Sequence, residues 1–358
     1  MGFEDFPVEL LVMIMLYLDS KDILSMSAVS RAWYKIAHGI APLLPGLTMK
    51  VSVTVPDDGH AVIGPYPSWP FPVKVDLHSQ RLVHRVSFNT TVHTLDLSNC
   101  QGIVDVSALG GVHTLNLSYC DNIGDVSALG RVHTLNLIGC VMLVDVSALG
   151  GVHNLNLSYC DNLVDVSALG SVHTLDLSRC RNVVDVSALG GVRNLYLEGC
   201  QSIRDVSALG GVHTLNLRNC YNIYEEVSAL RTVHTLNLSN CHNVYDVSAL
   251  GGVHTLVLSG YMCLHKVSAL GTVHNLNLSG CFLLVDVSSL GTVHTLNLSG
   301  CSSIVDVSSL GTVHTLDLSC CSNIVDVSAL GGVHTLDLSE CHKVVDVSAL
   351  GSVHTLDL

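Results

Sequence analysis

The sequence predicts a short all-α segment at the N-terminus, followed by a long solenoid of stacked coils that share one parallel β-sheet. Two observations carry this prediction. All 8 prolines lie before residue 73, whereas the chain repeats itself every 20 residues from Val92 onward. A fixed period of this length indicates stacked units, because one unit cannot bury its apolar face alone.

The repeat array contains 13 complete units and a half repeat. Repeat 1, residues 92–111, reads VHTLDLSNCQGIVDVSALGG, and its positions are numbered 1 to 20 below. One residue is inserted near Glu225, which shifts the later frame by one. Repeats 2 to 13 start at Val112, Val132, Val152, Val172, Val192, Val212, Val233, Val253, Val273, Val293, Val313 and Val333, and the half repeat starts at Val353.

Seven apolar positions recur in the repeat: 1, 4, 6, 9, 12, 15 and 18. Positions 4 and 6 alternate with polar neighbours, which predicts a short, half-buried strand with positions 3, 5 and 7 facing outward. The spacing of three elsewhere predicts a coil that turns one side chain inward at each corner. A repeat this short leaves little room for an α-helix, so we expect a single turn at residues 107–109 and at their equivalents.

The array resembles a leucine-rich repeat, whose pattern is L-x-x-L-x-L-x-x-N/C-x-L. The resemblance covers about three quarters of the chain and recurs in repeat after repeat. It implies a solenoid with a parallel β-sheet on the concave face and short turns, rather than long helices, on the convex face.

Cysteine occupies position 9 in 12 of the 13 complete repeats, from Cys100 to Cys341, and Tyr261 replaces it once. Metal or redox chemistry is one interpretation, but the sequence contains no CxxC pair. An inward ladder of small apolar side chains is therefore the favoured interpretation. So many free thiols predict a reducing compartment, the cytoplasm or the nucleus.

Aspartate and histidine also recur at fixed positions. Aspartate at position 14, as in Asp105, precedes the turn, where it can accept backbone N–H groups. A repeated cap is favoured over a row of catalytic carboxylates, because acid–base catalysis needs one distinctive pair in a pocket. Histidine occupies position 2 in 13 of 14 starts, with Arg193 as the exception. The pattern leaves its direction open; a stacked polar rim is favoured over metal binding across repeats.

The N-terminal segment predicts a helix with one apolar face. Pro7 suits the start of this helix, and Leu10, Leu11, Ile14 and Leu18 follow at helical spacing. A polar break at residues 19–22 precedes a stretch that predicts two further short helices. An apolar surface on so short a segment is expected to be covered by a partner.

The same segment resembles an F-box, because the stretches FPVELL, YLD, KDIL and VSRAW all fall in register with that family's pattern. The resemblance implies docking on the Skp-type adaptor of an SCF cullin ubiquitin ligase. A helix bundle that only caps the solenoid is the alternative. We therefore divide the chain into an F-box at 1–40, a linker and N-terminal cap at 41–91, and the array at 92–358. The adaptor-binding residues that the resemblance implies are Pro7, Leu10, Leu11, Ile14, Leu18, Leu24, Val29 and Trp33.

Departures from the uniform repeat are the candidate target-binding residues. Six of the nine basic residues of the array fall between Arg179 and Arg231. Arginine and tyrosine are also enriched at interface hot spots. Drift in a degenerating repeat is the competing explanation. The candidates are Arg179, Arg193, Tyr196, Glu198, Arg218 and Val257.

Charge and motif content narrow the function. The net charge is −14, the opposite of what a non-specific nucleic-acid binder or an anionic-membrane binder needs. The longest apolar run, at residues 10–18, is too short to span a bilayer. The sequence contains no nucleophile with a base and orienter, no phosphate-binding loop and no metal set, so we predict no enzymatic activity and no cofactor.

The resulting prediction is a substrate receptor for an SCF-type ubiquitin ligase, with an unidentified protein target. A scaffold or decoy that occupies the adaptor without delivering a substrate is the alternative, and the uniform polar strand face favours it. Self-association through the final strand, at residues 355–358, is a further expectation, because an exposed parallel edge invites pairing.

Overall fold

A computed structural model describes residues 49–51, 59–63, 73–77, 79–80, 83–88, 92–224, 227–261, 264 and 266–358. The predicted F-box helices and all eight implied adaptor-binding residues lie outside this part of the chain. The structure divides into two compact units, Met1–Asn156 and Leu157–Leu358, and each is described separately below. Within the described residues, no helix is long and apolar enough to span a bilayer.

The first unit contains one parallel sheet that follows the repeats, together with a separate pair of strands. The pair joins β2 (His60–Ile63) to β4 (Arg85–Phe88). The main sheet has the order β1-β3-β5-β6-β7-β8. Its strands are β1 (Met49–Val51), β3 (Val73–Asp76), β5 (Val92–Asp96), β6 (Thr114–Asn116), β7 (Thr134–Asn136) and β8 (Asn154–Asn156).

The second unit continues the pattern with one three-residue strand per repeat, in sequence order and in parallel. The register joins like positions, so that Leu195 at position 4 pairs with Leu215. The strands are β9 (Thr174–Asp176), β10 (Asn194–Tyr196), β11 (Thr214–Asn216), β12 (Thr235–Asn237), β13 (Thr255–Val257), β14 (Asn275–Asn277), β15 (Thr295–Asn297), β16 (Thr315–Asp317), β17 (Thr335–Asp337) and β18 (Thr355–Asp357).

A short 3-10 helix lies on the convex side of each repeat, which confirms the predicted single turn. These helices are Ser107–Gly111, Ser127–Leu129, Ser147–Gly151, Ser167–Leu169, Ser187–Gly191, Ser207–Gly211, Ser228–Thr232, Ser248–Gly252, Ser268–Thr272, Ser288–Leu290, Ser308–Leu310, Ser328–Gly332 and Ser348–Leu350.

The core contains the seven predicted apolar positions. In repeat 6 all seven side chains, from Val192 to Leu209, are buried. The position-9 thiols point inward, as predicted. Along the row, the Sγ atom donates to a backbone carbonyl of the preceding coil. Cys100 Sγ, for example, lies 3.0 Å from the carbonyl oxygen of Leu77. Tyr261 retains this bond, because its hydroxyl donates to the Leu238 carbonyl at 2.9 Å.

The aspartate row forms the predicted turn contacts. Asp105 Oδ1 accepts the backbone N–H of Ser107 at 3.0 Å, and its counterparts in later repeats do the same. A similar contact corrects in part the expectation that position 7 faces outward, since this position is buried in repeats 1, 2, 4 and 8 and half-buried or exposed in the others. Asp96 Oδ1 accepts the backbone N–H of Ser98 at 2.9 Å, so position 7 belongs to the turn after the strand. Ser98, accordingly, is 5% exposed.

Every complete repeat has a left-handed backbone at position 8, with φ between 58° and 77°. Glycine or asparagine, which adopt this conformation readily, occupies eight of these positions. The other five carry larger or charged side chains that are strained there: Tyr119, Tyr159, Arg179, Cys320 and Glu340.

Glycine at position 19 lets successive turns approach closely. A Cβ atom on Gly311 would lie 2.2 Å from the carbonyl oxygen of Ala329. Repeat 7 is the exception, with an exposed Arg231 at this position. The spacing between successive turns is larger there, as the glycines at position 20 of the following repeats show. A Cβ on Gly252 would lie 3.2 Å from the carbonyl oxygen of Arg231, whereas a Cβ on Gly332 would lie 2.6 Å from the carbonyl oxygen of Gly311.

The sheet begins before the first recognisable repeat. Strand β3 pairs with β5, and Val75 lies opposite Leu95, at position 4. Residues 82–88, LVHRVSF, resemble the start of a repeat in sequence, but Arg85–Phe88 form β4 in the separate pair of strands. The coil equivalent to a repeat therefore starts about ten residues earlier than its sequence echo indicated.

Candidate functional site

The irregular surface of the array is concentrated in repeats 5 to 7, which all belong to the second unit. Position 5 elsewhere forms a row of half-buried Asn and Asp side chains. Tyr196 interrupts this row on β10, between Asp176 and Asn216 in the neighbouring strands. Its half-buried ring therefore lies between polar side chains of the same row.

A second group of departures lies where the strands end. The backbone N–H of Arg179 donates to the Glu198 carbonyl at 2.7 Å, and that of Gly199 donates to the Arg218 carbonyl at 2.8 Å. The structure thus brings Arg179, Glu198 and Arg218 together on three successive repeats. We call these three residues, with Arg193, Tyr196 and the adjoining Tyr159 at the end of the strand in repeat 4, the repeat 5–7 patch.

Tyr159 is the member that sequence analysis missed. The Arg179 guanidinium carbon lies 5.5 Å from the centre of the Tyr159 ring, within the range of a cation–π contact. Both residues occupy position 8 and have left-handed backbone. The sequence shows two bulky residues at position 8 of successive repeats. Their contact could not be predicted from that spacing, because it depends on the left-handed backbone at position 8.

Arg193 interrupts the histidine row rather than the strand face. Its carbonyl accepts the backbone N–H of His213 at 3.0 Å, and its side chain is exposed. Partial desolvation lowers the pKa of His213, and the Arg193 charge lowers it further, as does His234. The arginine thus replaces a titrating group with a permanent charge.

Val257 lies apart from the patch. It shares the position-5 row with Tyr196, but Asn216 and Asn237 separate them on the intervening strands. With parallel strands about 4.8 Å apart, the two residues are roughly 14 Å from each other. A partner that contacts both must therefore span three strand intervals.

Charge also sets the patch apart. Repeats 5 to 7, residues 172–232, carry six basic and six acidic residues, whereas the rest of the array carries three and sixteen. The net charge of repeats 5 to 7 is therefore zero, and the net charge of −13 of the array comes entirely from the other repeats. Among the described residues, no ion pair within 4 Å involves Arg179, Arg193 or Arg218. Their guanidinium groups are thus available to a partner.

The histidine row forms a stack along one edge of the sheet. In the first unit, the ring centres of His93 and His113 are 4.5 Å apart; in the second, those of His314 and His334 are 4.6 Å apart. In most of the row Nδ1 contacts the next residue's side chain, as His113 does with Thr114 Oγ1 at 3.2 Å. Partial desolvation lowers the pKa of His133, and its two histidine neighbours lower it further.

The cysteine row has no feature of a reactive site. Burial raises the pKa of Cys120, Cys200 and Cys301 to about 12. Thiols of this kind are not nucleophilic at neutral pH. Among the described residues, no group of three or more His, Cys, Asp or Glu side chains is arranged to hold a metal ion.

Comparisons with known proteins found matches to the N-terminal segment and to the repeat array. Residues 3–41 match the F-box-like family model. An internalin, InlF of Listeria monocytogenes, is 21% identical, with a TM-score of 0.51 over 74% of this chain and 84% of its own. No curated protein sequence matches the chain.

Two further solved structures match the chain with lower TM-scores. The functional domain of InlJ from Listeria monocytogenes, described as including a cysteine ladder, is 19% identical over 70% of this chain and 63% of its own, with a TM-score of 0.44. A leucine-rich-repeat protein of Leptospira interrogans is 17% identical over 76% and 84%, with a TM-score of 0.44. The likeness to the internalin shows the fold alone.

The chain therefore combines an F-box-like segment with a leucine-rich-repeat fold. Both are typically modules for protein interaction rather than catalysis.

Proposed function

We propose that this protein is the substrate-recognition subunit of an SCF-type cullin ubiquitin ligase. The observation that carries the proposal is the pairing of an F-box-like segment at residues 3–41 with an array that has one distinctive surface patch. The F-box-like segment docks on the Skp-type adaptor, and the repeats hold a target protein near the ligase. The chain contributes proximity, not chemistry.

The apolar face of the first F-box helix carries the adaptor contact in this proposal. Leu10, Leu11, Ile14 and Leu18 share this face in the sequence pattern. Full burial of a Leu or Ile side chain is worth about 1.5–3 kcal/mol, so two or three such contacts contribute roughly 3–9 kcal/mol to the complex. Pro7, Leu24, Val29 and Trp33 complete the motif.

The repeat 5–7 patch carries the target contact. It offers an aromatic ring at Tyr196, a stacked Tyr159–Arg179 pair and unpaired charges of both signs. Tyrosine and arginine contribute most to interface energies when a partner buries them. The surrounding repeats carry mainly negative charge, so an acidic partner is repelled less by this neutral section than by the rest of the array.

The adaptor half is tested by changing Leu10 and Leu11 to Asp and measuring co-purification with a Skp-type adaptor. Two charges on the apolar face are expected to abolish the complex. Thermal melting of the array provides the control, because the repeats should melt as before. Unchanged adaptor binding would remove the ligase assignment.

The target half is tested by restoring the residues most common at four patch positions: Arg193→His, Tyr196→Asn, Glu198→Ser and Arg218→Ser. Reverting Lys266 to Asp, the most common residue at position 14, is the matched control outside the patch. A true target is expected to bind the wild type and the control, to be lost from the patch variant, and to be ubiquitylated only when the F-box is intact. A partner set that survives the four reversions would place target binding elsewhere.

A non-catalytic scaffold or decoy is the second candidate, and the uniform face outside the patch favours it. Positions 3 and 5 are mostly Thr, Asn and Asp, which offer little to discriminate between targets. A decoy would bind the adaptor without any partner whose ubiquitylation depends on the patch. The free, buried thiols support a reducing compartment, the cytoplasm or the nucleus, in either case.

A further inference from the structure

An exposed column of valines runs along the convex side of the array at position 13. Scattered exposed valines are ordinary, but these recur on successive repeats beside a row of aspartates at position 14. Val285, Val305 and Val325 are 61%, 57% and 57% exposed. We define the valine–aspartate column as Val285, Val305, Val325, Asp286, Asp306 and Asp326.

The aspartates beside these valines are ionised and exposed. In each, Oδ1 accepts the backbone N–H of the serine two residues later, at 2.9 Å for Asp306. Hydrogen bonds to Ser308 lower the pKa of Asp306, whereas its neighbours Asp286 and Asp326 oppose that shift by repulsion. The column therefore joins apolar side chains to negative charges that repel one another.

Hollows between successive repeats open onto this column. One of about 250 Å³ is lined by Val305, Asp306, Ser308, Asp326, Ser328 and Ala329. Its walls are carboxylates and its apolar side is a valine. A long cationic side chain, with an apolar stem and a charged end, fits this combination.

The protein itself places arginines at equivalent points. In the first unit, Arg85 Nε lies 3.3 Å from Asp105 Oδ2, and the two residues hold the same position in successive coils. In the second unit, Arg204 replaces valine at position 13 and lines the hollow between Asp185 and Asp205. Guanidinium groups are thus the natural complement of this row.

We propose that the valine–aspartate column is a docking surface for a basic amphipathic helix of a partner protein. The repeats that carry the column stack closely, since the ring centres of their position-2 histidines, His274, His294 and His314, are 4.6 and 4.7 Å apart. A helix advances about 5.4 Å per turn, so one apolar residue per turn stays close to each valine. Same-face residues of an extended strand are about 6.8 Å apart and lose this register sooner.

Charge selects this occupant over others. A second copy of the chain would set one aspartate row against another, and an anionic membrane would meet the same repulsion. A helix with apolar residues at i, i+4 and i+7, flanked by Lys or Arg, complements both the valines and the carboxylates. The surface is separate from the repeat 5–7 patch and does not depend on the proposed function.

The test uses the full chain and a fluorescent 18-residue peptide of Leu, Lys and Ala with this helical pattern. Fluorescence anisotropy compares wild type with V285S/V305S/V325S and with D286N/D306N/D326N. We expect each triple variant to weaken binding about tenfold or more, which corresponds to roughly 1.4 kcal/mol. Asn keeps the acceptor for the serine N–H, so these variants should fold.

The matched control is D317N/D337N/D357N, which removes the same charge from the strand face. Asn already occupies this position in repeats 10 and 11. We expect the control to change binding by less than about twofold, and a scrambled peptide of the same composition to bind more weakly. The proposal is overturned by any of three results: no binding to wild type, unchanged binding by the serine variant, or equal weakening by the two asparagine variants.

Discussion

Repeats 5 to 9 and repeats 10 to 12 belong to the same compact unit and contain the same core, yet their surfaces differ. The inward positions match throughout, and Tyr261 at position 9 is the one replacement that changes their size markedly. The exposed positions diverge, as at Tyr196, Arg193 and Arg231. Close packing constrains the interior to small changes, whereas solvent accepts almost any side chain. The array thus maintains one fold while part of its surface diverges.

The largest expected effect comes from the tight turns of the uniform repeats. Changing Gly311 to Ala places a Cβ 2.2 Å from the Ala329 oxygen, so the backbone must shift. We expect a loss of about 3 kcal/mol in the free energy of unfolding, measured by chemical denaturation.

Gly111 provides the control for this prediction, because a Cβ there meets nothing within 4 Å. Gly111→Ala is expected to be neutral or slightly stabilising. In repeat 7 the wider spacing at Arg231 predicts that Arg231→Gly changes stability by less than about 1 kcal/mol. Equal losses from Gly311→Ala and Gly111→Ala would contradict the role assigned to close approach.

A smaller effect is expected at Tyr261, the one large side chain in the cysteine row. Changing it to Phe removes the donor to the Leu238 carbonyl and leaves that buried oxygen without this partner. We expect a loss of about 1–2 kcal/mol in chemical denaturation. Tyr245→Phe is the control, since Tyr245 is 59% exposed. A stability unchanged in both variants would show that the hydroxyl bond contributes nothing net.

Arg179 should respond in the opposite direction. Its φ of 63° is strained for arginine, so Arg179→Gly is expected to raise the free energy of unfolding by about 0.5–1 kcal/mol. The same change should weaken target binding. Arg218→Gly lacks this strain and is expected to destabilise the chain by about 0.5–1 kcal/mol. Destabilisation by Arg179→Gly would mean that its contact with Tyr159 outweighs the strain.

Acid should produce the smallest effect per residue. The folded pKa values of His133 and His213 lie below their ordinary 6.5, so the unfolded chain binds more protons as the pH falls. Their contribution to stability is therefore present above pH 6.5 and decreases below it. Melting temperatures from pH 8 to pH 5.5 should fall less steeply for His133→Gln/His213→Gln than for wild type. Asn275→Thr, which places the most common residue at position 3 and changes no titrating group, is the control and should not change the slope.

Periodicity allowed the fold to be predicted, since every inward position recurs in the printed sequence. It did not allow the start of the sheet to be placed, because Val75 and Leu77 retain the inward residues of a repeat without its polar signature. Position 7 was predicted to face outward on the strand, but it lies in the turn after the strand and is buried in repeats 1, 2, 4 and 8. The reason is local: the side chain at position 5 accepts the backbone N–H of position 7, as Asp96 does with Ser98, and so ends the strand alternation on which the prediction relied.

The candidate site was predicted only in part. Departures from the consensus identified Arg179, Glu198 and Arg218, and the parallel register brings them together. Tyr159 was missed because its contact with Arg179 depends on left-handed turns that residue patterns do not reveal. The F-box residues lie outside the described part, so their adaptor role stays a prediction. Self-association through β18 also stays a prediction.

The thiol-to-carbonyl bonds of the cysteine row repeat the same contact from one repeat to the next, as in Cys301 to Leu278. A refolding chain with this translational symmetry has many registers of nearly equal energy, each displaced by one whole repeat. Tyr261 breaks the symmetry, because its ring fills a volume that a thiol leaves empty. We therefore expect Tyr261→Cys to refold through more misregistered species, which refolding kinetics would detect as additional slow phases. One irregular residue can thus fix the register in which a periodic chain folds.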